Sequence, residues 1–438
     1  MSADRFPAPP PRLAADGTPL RAVPPHRPGP SLRTDAADPL LAELLAGADD
    51  GAAERFWAAV AERGTPLVSP APAGAPDGTL LVTFVWREPD PAAVTVLQVN
   101  RLFDPTDPGG SVLRTVPGTD VRHLAYLLPR EWRGSYRFVT VDHVPAAGAG
   151  VAERTAFREN AARTGRPDPL NPRLATASGG LSLAELPGAP AQPWFAARDG
   201  VPRGALTEHR IGSAALGAER PVWLHVPAGR HDGPLPLLVL FDGRTWVEEQ
   251  PIGPTLDNLV AEGAMPPVCT VLVDTLDTAT RTRELTCDPR FAAFVVDELV
   301  PWVAARRPVT DDPRRTIAAG QSLGGLAAAY LAHVAPERFG AVSSLSGGFW
   351  FPHHAGDDGA APGAEWLTGR VAAAPPTTRY HLAVGTREWV SLPPNRRFRD
   401  AALAAGNDVD YHEYEGGHDT VCWRGELAEG LRRLTRDW

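Results

Sequence analysis

Gly320, Gln321, Ser322, Leu323 and Gly324 fit G-x-S-x-G, the local signature of a nucleophilic serine on a tight strand-to-helix turn. On such a turn the backbone is strained, and side chains two residues before or after the serine would collide with neighbouring backbone. Glycine removes the collision and leaves the hydroxyl exposed. The same five residues also describe a glycine-rich turn whose serine only caps a helix. A nucleophilic serine needs a base and an orienting acid, in the chain order serine, acid, histidine. His418 suits the base: it sits in Gly416-Gly417-His418-Asp419, just after a strand-like run at 409–414. Glu388 suits the acid, as the one carboxylate in Gly385-Thr386-Arg387-Glu388-Trp389, after the run 380–384. Asp419 is a rival, although a residue adjoining the base points elsewhere, and a serine–histidine dyad with water is the third arrangement.

Acyl transfer through a serine also needs two N–H groups about 3 Å from the developing oxyanion. Leu323, directly after the serine, supplies one. Gly243 or Arg244, in the turn after the apolar run 235–241, supplies the other. Arginine and tryptophan crowd the same strand ends: Arg244, Trp246, Arg281, Arg283, Trp350, Arg387, Trp389, Trp423 and Arg424. Aromatic faces interleaved with guanidinium groups suit a flat, aromatic, anionic ligand, so these nine are the candidate substrate contacts. His353, His354, Asp357 and Asp358 can be drawn as a metal cluster, but adjacent histidines rarely share one ion, and a polar loop is the preferred reading.

The elements that must hold these groups follow from the pattern of apolar runs. From residue 203 onward, short apolar strands at 221–226, 235–241, 268–273, 316–319, 341–345 and 380–384 alternate with helical stretches at 257–263, 291–306 and 326–334. That alternation predicts an α/β domain with a mostly parallel sheet, its active site beyond the C-terminal strand ends. Before it, helices at 39–45 and 53–63 lead into strands at 80–86, 93–100, 121–128 and 136–142. Strands spaced this way predict a small all-β sandwich over 37–145. Residues 1–36, rich in proline and arginine, read as a disordered arm, and 146–202 as a connecting segment with a short helix near 152–164.

The chain has 438 residues, enough for two domains, and a net charge of −9 with its acidic residues dispersed, which argues against a nucleic-acid partner. It contains no lysine, which excludes Schiff-base chemistry. Three cysteines, few and odd in number, suit a reducing compartment. No apolar run is long enough for a membrane span or a secretory leader. The expectation is a soluble cytoplasmic protein, its oligomeric state open.

Several stretches together resemble the enterochelin (ferric enterobactin) esterases, a branch of the esterase D-like α/β hydrolases. They are Leu240 to Trp246, Arg281-Thr282-Arg283-Glu284-Leu285 with Cys287, Ala319 to Gly325, Ser346-Gly347-Gly348-Phe349-Trp350, and Gly416 to Arg424 (GGHDTVCWR). In the first half, Phe56-Trp57, Gly64 to Leu67, Thr83 to Trp86, Arg133 to Phe138, Asp168 to Pro172 and Glu185 to Pro187 add to the resemblance. It implies an α/β-hydrolase domain over 203–438 behind an immunoglobulin-like domain. It also implies hydrolysis of the trilactone of a ferric tricatecholate siderophore in the cytoplasm, with Ser322 as nucleophile, His418 as base and Glu388 as acid. No metal cofactor is implied, since the iron arrives with the substrate. The long N-terminal arm, and Leu323 where phenylalanine is frequent, depart from the family pattern. Another esterase D-like ester hydrolysis or acyl transfer is the alternative.

Overall fold

The computed structural model describes residues 5–9, 29, 31–47, 49, 51–353 and 364–438. The chain divides into two compact units, one of 28–191 with 415–422 and the other of 1–27, 192–414 and 423–438.

In the smaller unit, strands β1 (Arg33–Thr34), β2 (Leu67–Pro70), β3 (Thr79–Arg87), β5 (Arg114–Thr115) and β6 (Val121–Pro129) form one antiparallel sheet, and β4 (Val94–Val99), β7 (Arg133–Val141) and β8 (Ser182–Glu185) form another. The two-residue period of a strand sorts their side chains. Val82 and Phe84 of β3 and Leu124, Tyr126 and Leu128 of β6 meet Leu97, Val99, Tyr136 and Phe138 of the other sheet in a shared core. Val85 and Val121 point to the opposite face, where they pack against Leu41, Leu44, Phe56 and Trp57 of helices α1 (Pro39–Ala46) and α2 (Ala52–Arg63). The segment expected to be a connection is structural instead. Helix α3 (Val151–Thr164) sets Phe157 and Ala161 against Val96, Val139 and Val141 on the outer face of the second sheet, and β8 completes that sheet.

Parts of the expected disordered arm are also ordered. Arg33 and Thr34 pair with Tyr126 and Ala125. Phe6 is buried in the core of the larger unit, where the Pro7 carbonyl accepts a hydrogen bond from Tyr330. Such short anchors carry no periodicity for a sequence pattern to reveal.

The larger unit is built on an eight-stranded sheet in the order β16-β15-β14-β13-β11-β12-β10-β9. Its strands are β9 (Ala205–Ser213), β10 (Ala218–Val226), β11 (Leu237–Phe241), β12 (Cys269–Val273), β13 (Thr316–Gln321), β14 (Ala341–Leu345), β15 (Arg379–Gly385) and β16 (Asp408–Tyr414). The β9–β10 and β10–β12 pairs are antiparallel, and every other neighbour is parallel. Strands β11 to β15 are buried almost throughout, as expected of parallel strands covered on both faces.

The helices are α4 (Ile252–Ala261), α5 (Thr278–Glu284), α6 (Pro289–Ala293), α7 (Val300–Ala304), α8 (Leu323–Val334), α9 (Trp366–Ala372), α10 (Leu392–Ala404) and α11 (Thr420–Leu434). Helix α4 starts five residues before the expected 257, because Pro254 is tolerated in a first turn. The expected helix 291–306 is interrupted by a π turn, Phe294–Leu299. Pro301 follows that turn, and its ring would clash with the carbonyl four residues back in a regular helix. All three cysteines are buried and unbridged.

Candidate active site

Three neighbouring strands, β11, β13 and β14, each end in a non-glycine residue with positive φ: Asp242 at 58°, Ser322 at 57° and Ser346 at 52°. A left-handed conformation costs such residues about 1–3 kcal/mol each and tends to gather at functional sites. Ser322 is held there from both sides. Its N–H donates to the Leu345 carbonyl at 2.8 Å, and its own carbonyl accepts from Gly348 at 2.8 Å and Leu326 at 3.2 Å. The glycines around it differ in their duties. A Cβ on Gly320 would lie 2.6 Å from the Gly324 carbonyl carbon, and one on Gly325 would lie 2.4 Å from Ser344 Oγ. A Cβ on Gly324 would meet nothing closer than Asp242 Oδ2 at 3.3 Å. Strand and helix therefore back onto each other at Gly320, which is what swings the half-buried serine out of the sheet.

Leu323 is the first residue of α8, so its N–H has no carbonyl four residues back to bond. Arg244 stands at the N-cap of the short π turn Thr245–Glu249, which leaves it in the same position. A hydrogen-bonded frame ties this turn to the serine turn. Arg281 grips Asp242 with two bonds of 2.6 and 2.8 Å and reaches the Gln321 carbonyl at 3.4 Å. Trp246 Nε1 donates to Gln321 Oε1 at 2.9 Å. Burial works to lower the Arg281 pKa, but the Asp242 carboxylate outweighs it and holds the guanidinium above its usual value.

At the next strand end, Glu388 is 1% exposed. Its Oε1 accepts from Ser346 Oγ at 2.5 Å, from the Gly385 N–H at 2.9 Å and from Tyr414 OH at 3.2 Å. Trp423 Nε1 in turn donates to Ser346 Oγ at 2.8 Å. Three donors on one oxygen fix the orientation of the carboxylate.

His418 lies in the segment 415–422, which groups with the smaller unit. Its carbonyl accepts from Asn100 Nδ2 at 2.9 Å, and a Cβ on Gly417 would lie 2.5 Å from Asn100 Oδ1, so the loop tolerates no larger residue there. Asp419 is engaged with β7: its Oδ2 accepts from the Ser135 N–H at 2.7 Å and the Ser135 hydroxyl at 2.8 Å. Asp242, Gln321, Ser346, Tyr414 and Asn100 were not singled out from the sequence. Asp242 and Ser346 directly follow buried strand-like runs, a signal that was available.

The nine expected substrate contacts separate. Trp246, Trp350 and Trp423 are buried, two of them with their indole N–H already bonded. Arg281 is committed to Asp242. Arg424 is buried against Gln192 and Gln250 and stacks over Phe195 at 3.9 Å. Arg244 is half exposed, and its pairing with Asp274 at 2.8 Å, backed by Glu248, holds its pKa above the usual value. Arg283 is also exposed, 3.7 Å from Glu284. Arg387 and Trp389 are half-buried beside Glu388. Of the drawn metal cluster, His354, Asp357 and Asp358 lie outside the described residues.

A mostly parallel sheet bearing a strained serine turn, with a two-sheet unit before it in the chain, defines an esterase of the α/β-hydrolase class. Residues 213–434 match the family "Putative esterase", and residues 81–195 match "Enterochelin esterase, N-terminal". The chain belongs to the enterochelin esterase family. It is 36% identical to the iron(III) enterobactin esterase of Dickeya dadantii, over 91% of this chain and 97% of that protein. It is 31% identical to the iron(III) salmochelin esterase of Escherichia coli O6:H1, over 86% and 93%. The crystal structure of the Shigella flexneri enterobactin esterase in the presence of enterobactin superposes with a TM-score of 0.73 at 30% identity, covering 87% of this chain and 98% of that one.

Proposed function

We propose that this protein is a serine esterase that opens the trilactone backbone of a ferric tricatecholate siderophore of the enterobactin type, releasing its iron in the cytoplasm. The observation that carries the reading is the Ser322 turn, with its positive φ and Leu323 beside it as the first residue of α8. The names of the relatives support the substrate class. Among the described residues no helix is long and apolar enough to cross a membrane.

In the proposed cycle His418 takes the proton as Ser322 Oγ attacks a lactone carbonyl. The N–H groups of Leu323 and of Gly243 or Arg244 stabilise the oxyanion, and Glu388 orients the imidazole. Water activated by His418 then hydrolyses the acyl-enzyme. The iron is cargo, bound by the substrate's catecholates, and takes no part in these steps. Arg244 and Arg283, exposed at strand ends, supply positive charge for an anionic aromatic substrate, and Arg387 with Trp389 flanks the acid. Trp246, Trp350, Arg281, Trp423 and Arg424 instead support the site through packing and hydrogen bonds.

Mass spectrometry of the products from ferric and iron-free enterobactin tests the proposal. The expected result is linear dihydroxybenzoylserine fragments from wild type, none from Ser322→Ala, and labelling of Ser322 by a fluorophosphonate. Near-wild-type hydrolysis by Ser322→Ala would overturn the assignment. Cleavage of simple aryl esters with the trilactone left intact would overturn the substrate.

A further inference from the structure

Strand β9 forms one edge of the eight-stranded sheet, with only β10 beside it among the described residues. It is nine residues long, and six of the nine are exposed. Successive residues of an antiparallel strand turn their N–H and C=O to one side and then the other. Thr207 Oγ1 donates to the Leu224 carbonyl at 3.4 Å, and Leu224 is the residue opposite Thr207, so Thr207 faces β10. The Ser213 carbonyl, which accepts from the Gly217 N–H in the turn to β10, faces the same way. Leu206, Glu208, Arg210 and Gly212 therefore present their N–H and C=O outward. Among the described residues no strand, bridge or loop bonds to that row. An open row of this kind is a template for another strand.

The side chains decide which strand fits. Charges along an edge ordinarily discourage pairing, and β9 carries an exposed Glu208 and an exposed Arg210. Glu208 has no ion pair among the described residues, and Arg210 has a loose one, 3.9 Å to the exposed Glu219. We propose that β9 pairs antiparallel with β9 of a second copy of this chain, about a twofold axis at His209. In that register Glu208 of each copy lies opposite Arg210 of the other, and Leu206 lies opposite Gly212. Opposite charges directly across a strand pair stabilise it and like charges destabilise it. A twofold pairing makes each contact twice. Outward groups must meet outward groups, so the strands slip only two residues at a time. Slipped one way, Glu208 meets Glu208 of the other copy; slipped the other way, Arg210 meets Arg210. A larger slip sets neither charge against its opposite, so one register is selected. His209, on the axis, is held in place by Thr207 Oγ1 at 2.9 Å and by the edge of Trp302 at 5.2 Å. In the sheet β9 is four places from β13, and the proposal does not rest on the esterase reading.

One strand from each copy makes an interface smaller than the roughly 1,200–2,000 Å² of stable complexes, so the expected dimer is weak, with a micromolar dissociation constant. Sedimentation velocity on the full chain, from low micromolar to submillimolar protein at low salt, tests it. Wild type should pass from monomer to dimer over that range and form nothing larger, because the pairing closes on itself. Glu208→Arg and Arg210→Glu each replace both opposite-charge pairs with like-charge pairs, and each should weaken the dimer at least about tenfold. Both positions are exposed, so both variants should melt as wild type does. An equimolar mixture of the two variants should dimerise again, since the two arginines of one copy then face the two glutamates of the other. The doubly exchanged chain, Glu208→Arg with Arg210→Glu, should dimerise like wild type. A wild type that stays monomeric at submillimolar concentration, a dimer that survives Glu208→Arg unchanged, or a mixture that stays monomeric would each overturn the proposal.

Discussion

Ser346 occupies a junction. Its one hydroxyl hydrogen goes to Glu388, and its lone pairs face the Trp423 indole N–H. Replacing it by alanine removes one hydrogen bond from Glu388 Oε1 and one from the Trp423 indole N–H. Each buried hydrogen bond lost costs about 0.5–1.5 kcal/mol net, so Ser346→Ala should lower the melting temperature and shift the unfolding midpoint in denaturant. Turnover should also fall, though less than in Glu388→Gln, because Gly385 and Tyr414 still hold the carboxylate. Ser346→Thr keeps the hydroxyl and should recover part of the loss. If Ser346→Ala matched wild type in both melting and kcat, the junction would have no role in orienting the acid.

At the scale of elements, the packing of β13 against α8 makes an ordered prediction about two glycines that look alike in the sequence. An alanine at 320 pushes its methyl into the Gly324 backbone, and backbone cannot swing aside. The cost should be about 3 kcal/mol, at the upper end for overpacking. An alanine at 324 meets Asp242 Oδ2 at 3.3 Å and Phe241 Cβ at 3.4 Å, a tight but negotiable fit. It also gains up to about 1 kcal/mol of helix propensity. Gly320→Ala should thus be far less stable than Gly324→Ala by chemical denaturation, and the reverse order would refute this account of the turn. The serine turn was legible because its requirements are local, glycine beside a strained residue after an apolar run. The partners of the arginines and tryptophans were not legible, because sequence gives residue type and not partner. Arg281 finds Asp242 39 positions away, and Trp246 finds Gln321 75 positions away. Residues 146–202 hid α3 and β8 for a related reason: α3 buries only Phe157 and Ala161, too thin an apolar stripe to stand out among alanines and prolines.

For the molecule as a whole, the sequence reading set a domain at 37–145, a connection at 146–202 and a second domain at 203–438, whereas in the structure 28–191 groups with 415–422 as the smaller unit. Asp419 is where that return is fastened. Its Oδ2 takes both the N–H and the hydroxyl of Ser135, and its Oδ1 takes the Val421 N–H at the start of α11. A carboxylate with its oxygens so engaged is a structural fastener, whereas Glu388, at a strand end, is the acid of the proposed cycle. The two acids, rivals in the sequence, should therefore fail in different ways. Asp419→Asn must turn its NH2 toward either the Ser135 donors or the Val421 N–H, so it should lose about 1–3 kcal/mol of stability while its turnover, measured well below the melting transition, falls by less than tenfold. Glu388→Gln should instead lose orders of magnitude in kcat with a smaller change in stability. Paired melting curves and kcat values on the two variants decide between them. An Asp419→Asn protein that melts like wild type but turns over thousands of times more slowly would move the acid's role to Asp419 and leave Glu388 as the structural residue.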